Sequence, residues 1–329
     1  MSEETAQYPE PYTDRIGLLV FAGVVEILLG LLALLLGIAA VASIVLMPEK
    51  AGISVRTMGY SMVQYGIAGL FFIAVGIGSI RARRWARALM LAVGWMWLAI
   101  GVLSVGALAV TMPSIMEGMA SGTDMPPGAR GFMMAMMAGV SCVIYLVLPL
   151  FFILIYRSPN VKAACHHRDP RESVLDTCPL LVRIAGVFLL LAGVGALSVV
   201  AMPAAPFGSR IVTGWPVAAA GAVLAAVYLV LACQTIRLRM WAWWADVVLL
   251  LAASAYGLWS FLQVDITRLY EAMTFPPEQV AMMERMFSGG TMDLFMGMGS
   301  AAAICILLYL LYIRRYFVQA RQAGGIETA

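Results

Sequence analysis

IGLLVFAGVVEILLGLLALLLGIAAVASIVLM, residues 16–47, runs for 32 positions with one charged side chain, Glu26. The apolar region of a cleaved signal peptide spans only about 7–15 residues and follows a basic segment. Here the preceding MSEETAQYPEPYTDR is acidic. The run is therefore expected to stay in the chain as a first membrane helix, with length enough to tilt or to project beyond the lipid. Composition carries the same reading outward. Hydrophobic residues fill 62% of the 329 positions, charged residues 12%, and mean hydropathy is +0.91. Soluble domains are about half apolar and about a quarter charged. A fold of this length cannot hide that much apolar surface from water, so lipid is part of its solvent.

Segments long enough to cross a bilayer recur at 16–47, 58–80, 85–111, 132–156, 184–202, 213–235, 242–264 and 295–313. Backbone groups in hydrocarbon must pair within their own segment, and none of these runs alternates strictly, so helices are expected rather than a barrel. The predicted fold class is an all-α polytopic membrane protein with eight transmembrane helices. Lys and Arg divide unevenly across the seams. With the N-terminus inside, 15 of the 21 fall on the inner side, including Arg81, Arg83, Arg84, Arg87, Arg237, Arg239, Arg314 and Arg315. That asymmetry predicts a multi-pass protein of the cell membrane with both termini cytoplasmic.

IRARRWAR at 80–87 returns as IRLRMWAW at 236–243, 156 residues later, and Tyr156 falls on Tyr312 at the same offset. Each half also carries a long outer loop before its last span, about 112–131 and 265–294. Four spans per half is an even number, which makes the halves two tandem, parallel four-helix repeats. The expected organisation is a cytoplasmic tail (1–15), a first repeat (16–157), a connector (158–182), a second repeat (183–315) and a C-terminal tail (316–329).

Glu26 is the sharpest single feature. Ten residues into its span, it sits about 15 Å deep at 1.5 Å per residue. A charge there costs roughly 3 kcal/mol, and the thirteen Val, Ile, Leu and Phe residues between Val20 and Ile38 return roughly 6 kcal/mol, so the helix inserts. No Lys or Arg lies at that depth, so an uncharged carboxyl hydrogen-bonded inside the bundle is the expected state. Gln64, Tyr145, Tyr228 and Tyr256 are the candidate partners. As a functional group Glu26 would couple or select a small solute or ion, with Gln64 and Tyr145 along the pathway. As a structural group it clasps helices, and that reading is preferred. Asp246, behind Trp241, Trp243 and Trp244, is expected at an interface near Arg237 or Arg239.

The connector holds CHHRDPRESVLDTC, residues 165–178, with both histidines of the chain. Zinc sites pair ligands at C-x₂₋₄-C and H-x₃₋₅-H. Cys165, His166 and His167 are consecutive and Cys178 stands apart, so a metal site is the lesser reading and a solvated hinge broken by Pro159, Pro170 and Pro179 the preferred one. Methionine clusters at Met133, Met134, Met136 and Met137, at Met282, Met283 and Met286, and at Met292, Met296 and Met298 read as adaptable packing before they read as copper ligands. Gly214, Ala218, Ala222 and Ala226 form a small-residue stripe suited to close helix contact, within the chain or against a second copy. The 265–294 loop reads as two short helices around Pro276-Pro277. No H-E-x-x-H, G-x-S-x-G, GxxxxGK[ST] or C-x-x-C occurs. No cofactor is implied and an enzyme is not expected. The partners are the lipid bilayer and a membrane protein or second copy. The leading expectation is a non-catalytic membrane module that scaffolds, anchors or assists a complex; the alternative is a transporter or channel.

Overall fold

A computed structural model describes residues 16–46, 55–120, 127–200, 202, 204–208, 210–263, 266–272, 280 and 291–326. Its long helices are α1 (Ile16–Leu46), α2 (Val55–Ile80) and α3 (Arg84–Ala120), then α4 (Pro127–Cys142) continued through a π-helical turn, Val143–Val147, into α5 (Leu148–Arg157). The connector forms α6 (Pro159–Arg168) and α7 (Val174–Thr177). The second half has α8 (Leu180–Val199), strands β1 (Ala204–Phe207) and β2 (Arg210–Thr213), α9 (Trp215–Ile236), α10 (Met240–Gln263), α11 (Ile266–Ala272) and α12 (Thr291–Ile326). Among the described residues, eight helical stretches are long and apolar enough to cross a membrane. Outward leucines and isoleucines such as Leu28, Leu35 and Ile38, each more than half exposed, mark a surface made for lipid rather than water.

Several boundaries move. The helix of the third span runs on to Ala120 and that of the fourth begins at Pro127, so most of the 112–131 loop is helix; 121–126 lie outside the described residues. The first short helix expected after 265 is α11, and of the second only Val280 is described. The C-terminal tail assigned from 316 is helical as far as Ile326. An antiparallel hairpin, Ala204 opposite Thr213 and Phe207 opposite Arg210, fills the seam between the fifth and sixth spans, where no strand was expected. It is pinned by the Tyr256 hydroxyl, which donates to the Pro206 carbonyl at 2.6 Å, and by Phe207 set edge-on against Trp259.

Helices approach where side chains vanish. α1 and α2 run antiparallel with Gly23 against Gly76 and Gly30 against Gly69; a methyl on Gly23 would stand 2.7 Å from the Gly76 carbonyl oxygen. Backbones this close gain dispersion contacts that lipid tails cannot replace. Between α3 and the fourth span, Pro149 has no N–H to give the Tyr145 carbonyl four residues back, and the helix relaxes into its π turn there. A methyl on Gly101 would collide with that carbonyl oxygen.

α2 and α9 end in the same way. Arg83 N–H donates to the Gly78 carbonyl and Ala82 N–H to Ser79; 156 residues on, Arg239 N–H donates to Gln234 and Leu238 N–H to Thr235. This is the Schellman closure, and it places Ala82 at φ 50° and Leu238 at φ 56°. Among the described residues these are the two non-glycine positions with positive φ.

Candidate functional site

The polar side chains gather where the arginine turns lie. The helical reach of a glutamate bends toward its own N-terminus, which carries the Glu26 carboxyl toward the start of α1. It meets Ser79, two residues before Arg81, and Tyr156, one before Arg157. Ser79 Oγ donates to Oε2 at 2.9 Å, Tyr156 O–H lies 2.6 Å from Oε1, and the two hydroxyl oxygens are 2.7 Å apart. All three side chains are at most 1% exposed. Three short oxygen contacts need three protons and the hydroxyls bring two. A proton on Oε1, donated to Tyr156, closes the ring: Tyr156 then donates to Ser79 and Ser79 to Oε2.

This corrects the expected partners: the carboxyl meets Ser79 and Tyr156, which stand near the ends of α2 and α5, rather than the four candidates. Gln64 lies on α2 about four turns from Ser79. Tyr145 is 38% exposed on the π turn, Tyr228 packs on Gly193, and Tyr256 serves the hairpin. Tyr156 was visible in the 156-residue offset to Tyr312, but only as a mark of repetition.

The connector is not a wet hinge. Pro159 opens α6 at its first turn, where a missing N–H is harmless. Val161, Ala164 and Cys165, spaced to share one face, are buried, and Val161 and Cys165 join the first half's core with Phe152 and Tyr156. Beyond α6, Asp169 accepts the Arg84 backbone N–H at 3.3 Å and Arg83 Nη1 at 3.4 Å, an acid placed on the N-terminus of α3. Asp176 on α7 accepts Arg84 Nε at 2.9 Å and Arg87 Nη1 at 3.3 Å. Arg183, at the start of α8, donates to the carbonyls of Ala88 and Cys178 at 3.0 and 2.7 Å. Arg84, Arg87, Asp169 and Arg183 are each at most 8% exposed.

Burial opposes the charge of Asp176, but the Arg84 hydrogen bond, with His166 and Arg87 behind it, prevails and holds the carboxyl below the usual carboxylate range. His166 Nε2 stands 3.2 Å from Asp176 Oδ2, off the hydrogen-bonding direction. Burial and the neighbouring Arg84 push the proton affinity of its imidazole down despite that carboxylate.

The suspected metal ligands part company. Cys165 packs in the first half's core and Cys178 in the second's, with Val182, Trp243 and Phe317. Burial pushes both thiols up to about 11, away from the thiolate a metal needs. His167 is exposed. Among the described residues no three His, Cys, Asp or Glu groups stand where they would hold an ion.

In the second half, Thr235, the counterpart of Ser79 at the 156-residue offset, donates to Asp246 Oδ2 at 2.7 Å. Asp246 is 4% exposed and meets neither Arg237 nor Arg239, contrary to expectation, because it stands in the second turn of α10 and faces back into the bundle toward Thr235. The Gly214/Ala218/Ala222/Ala226 stripe faces largely outward; Gly221 and Ala225 make the close contact with α8. A groove of about 510 Å³ between α10 and α12, lined by Leu250, Leu258, Met296, Ala303 and Leu307, is apolar. Comparison with family models, curated proteins and solved structures finds no match.

Proposed function

We propose that this chain is a non-catalytic membrane module, a scaffold, anchor or accessory subunit, built from two like-facing four-helix repeats. Its connector and both termini would face the cytoplasm. The observation that carries the reading is the connector's grip: Asp176 binds α3 while Arg183, seven residues on, bonds the same helix from the next half. A rocking transporter must slide its halves, and here that sliding would strip partners from buried charges, at several kcal/mol each. The repeat reading rests on the matched turns at Ala82 and Leu238 and on Ser79 and Thr235, each hydroxyl serving a buried carboxyl.

A second reading is favoured by the closed ring of Glu26, Tyr156 and Ser79, whose hydrogen bonds could pass a proton between three helices. It makes the chain a proton-coupled transporter or channel. Glu26→Gln in proteoliposomes separates the two. For the module, proton and solute flux match protein-free vesicles in both forms, and only the unfolding midpoint moves. Flux present in the parent and lost in the variant at equal protein level would overturn the module.

A further inference from the structure

Among the described residues, the cations of the second arginine turn have no counter-charge. In the first turn Asp169 and Asp176 answer Arg83, Arg84 and Arg87. Arg237, Arg239 and Arg314 are exposed, and among the described residues none of them meets a carboxylate. The one acid nearby in sequence, Asp246, is buried and turned to Thr235.

Their height is set by the chain. Arg237–Arg239 lie between spans that end at Ile236 and begin at Met240, so the turn sits at the lipid boundary. Trp241 and Trp244 beside it are exposed, as aromatic residues at headgroup level are. Trp243 is buried and donates Nε1–H to the Leu310 carbonyl at 2.8 Å, tying α12 to α10. That bond brings Arg314 over the Trp243 ring, 5.5 Å from its centre, alongside the first turn of α10. Arg315 is engaged differently, stacked on Tyr312 and Tyr316.

We propose that Arg237, Arg239 and Arg314 form a binding site for the phosphate of an anionic phospholipid headgroup in the leaflet at this end of the bundle. A guanidinium offers a phosphate two parallel N–H donors, and its charge complements the lipid's. The exposed apolar side chains Val230 and Val248 on the adjoining helices give the acyl chains a surface to follow. The site stands apart from the question of scaffold or transporter.

The test uses the full chain in phosphatidylcholine vesicles carrying spin-labelled phosphatidylglycerol, counting motionally restricted lipid per chain. Each arginine at such a surface is worth about fivefold in occupancy. Arg314→Gln should lower the restricted phosphatidylglycerol about fivefold and R237Q/R239Q on the order of 25-fold. Arg210→Gln, which removes an equal charge at the hairpin, should keep it. Wild-type occupancy in R237Q/R239Q, or an equal loss in Arg210→Gln, would overturn the site. Displacement of the labelled lipid by inorganic phosphate would overturn the lipid as its source. Unfolding midpoints in pure phosphatidylcholine check the fold, and if the double variant does not fold, Arg314→Gln alone decides.

Discussion

The turns at 81–84 and 237–240 share one backbone and part in what is laid upon it. Both close a helix with the same pair of hydrogen bonds and the same left-handed residue. Over the first, the connector sets two aspartates that pair with three arginines, and two of these, Arg84 and Arg87, go under cover. The second is left bare among tryptophans. Local termination therefore fixes where a cation stands, while a segment far away in sequence decides whether it is neutralised by protein or from outside.

The largest break in that comparison is Asp176→Ala. Removing one partner from a buried charge group costs about 3–5 kcal/mol. Arg239→Gln in the bare turn should stay within about 0.5 kcal/mol in a neutral detergent. Chemical unfolding of both variants checks the pair; equal shifts would mean that the connector is no lock.

The buried acids give the next contrast. Each buried group left unpaired loses about 1–3 kcal/mol. Glu26→Ala removes two hydrogen bonds, leaving Ser79 and Tyr156 only each other, whereas Asp246→Ala removes the one from Thr235, so the first should cost more than the second. Infrared difference spectra offer an independent reading: a neutral carboxyl band that disappears in Glu26→Gln is expected, and a carboxylate band in its place would refute the three-proton ring.

Helix spacing separates the halves more gently. A methyl on Gly23 meets backbone oxygen, while one on Gly186 meets the end of the Ile236 side chain. Overpacking costs about 1–3 kcal/mol where nothing yields. Gly23→Ala should fall in that range and Gly186→Ala below it, as thermal midpoints in one detergent would register.

The smallest effect is one of pH. An unfolded histidine binds its proton near pH 6.5, and His166 in the fold binds it only at lower pH, because burial and Arg84 oppose the charge. Unfolding therefore takes up a proton in that window. Stability is complete above about pH 6.5 and falls as the pH drops toward the folded value. Asp176, held below its ordinary range, adds a loss only near pH 4 and under. Denaturation followed across this range should show the upper step in the parent and lack it in His166→Gln; a step surviving the substitution would assign it elsewhere.

Much of the architecture was legible because lipid leaves a chain few choices. Ile16–Leu46 had to be a helix, and the arginine turns had to end one. Tyr156 and Ser79 escaped because depth was read from the Glu26 backbone, whereas a helical side chain lands about a turn away. α6 escaped because Pro159 was taken for a breaker when it stood at a helix start, although Val161, Ala164 and Cys165 already carried helical spacing. The hairpin at 204–213 is too short for alternation to declare itself among prolines.

By itself the sequence determined eight crossings and the end at which the arginines collect, since both follow from backbone and charge meeting hydrocarbon one segment at a time. Only the tertiary structure decided which cations are matched, where the Glu26 carboxyl rests and that Cys165 and Cys178 serve different cores. Those outcomes depend on contacts between residues such as Glu26 and Tyr156, 130 positions apart, and no local pattern encodes such a meeting.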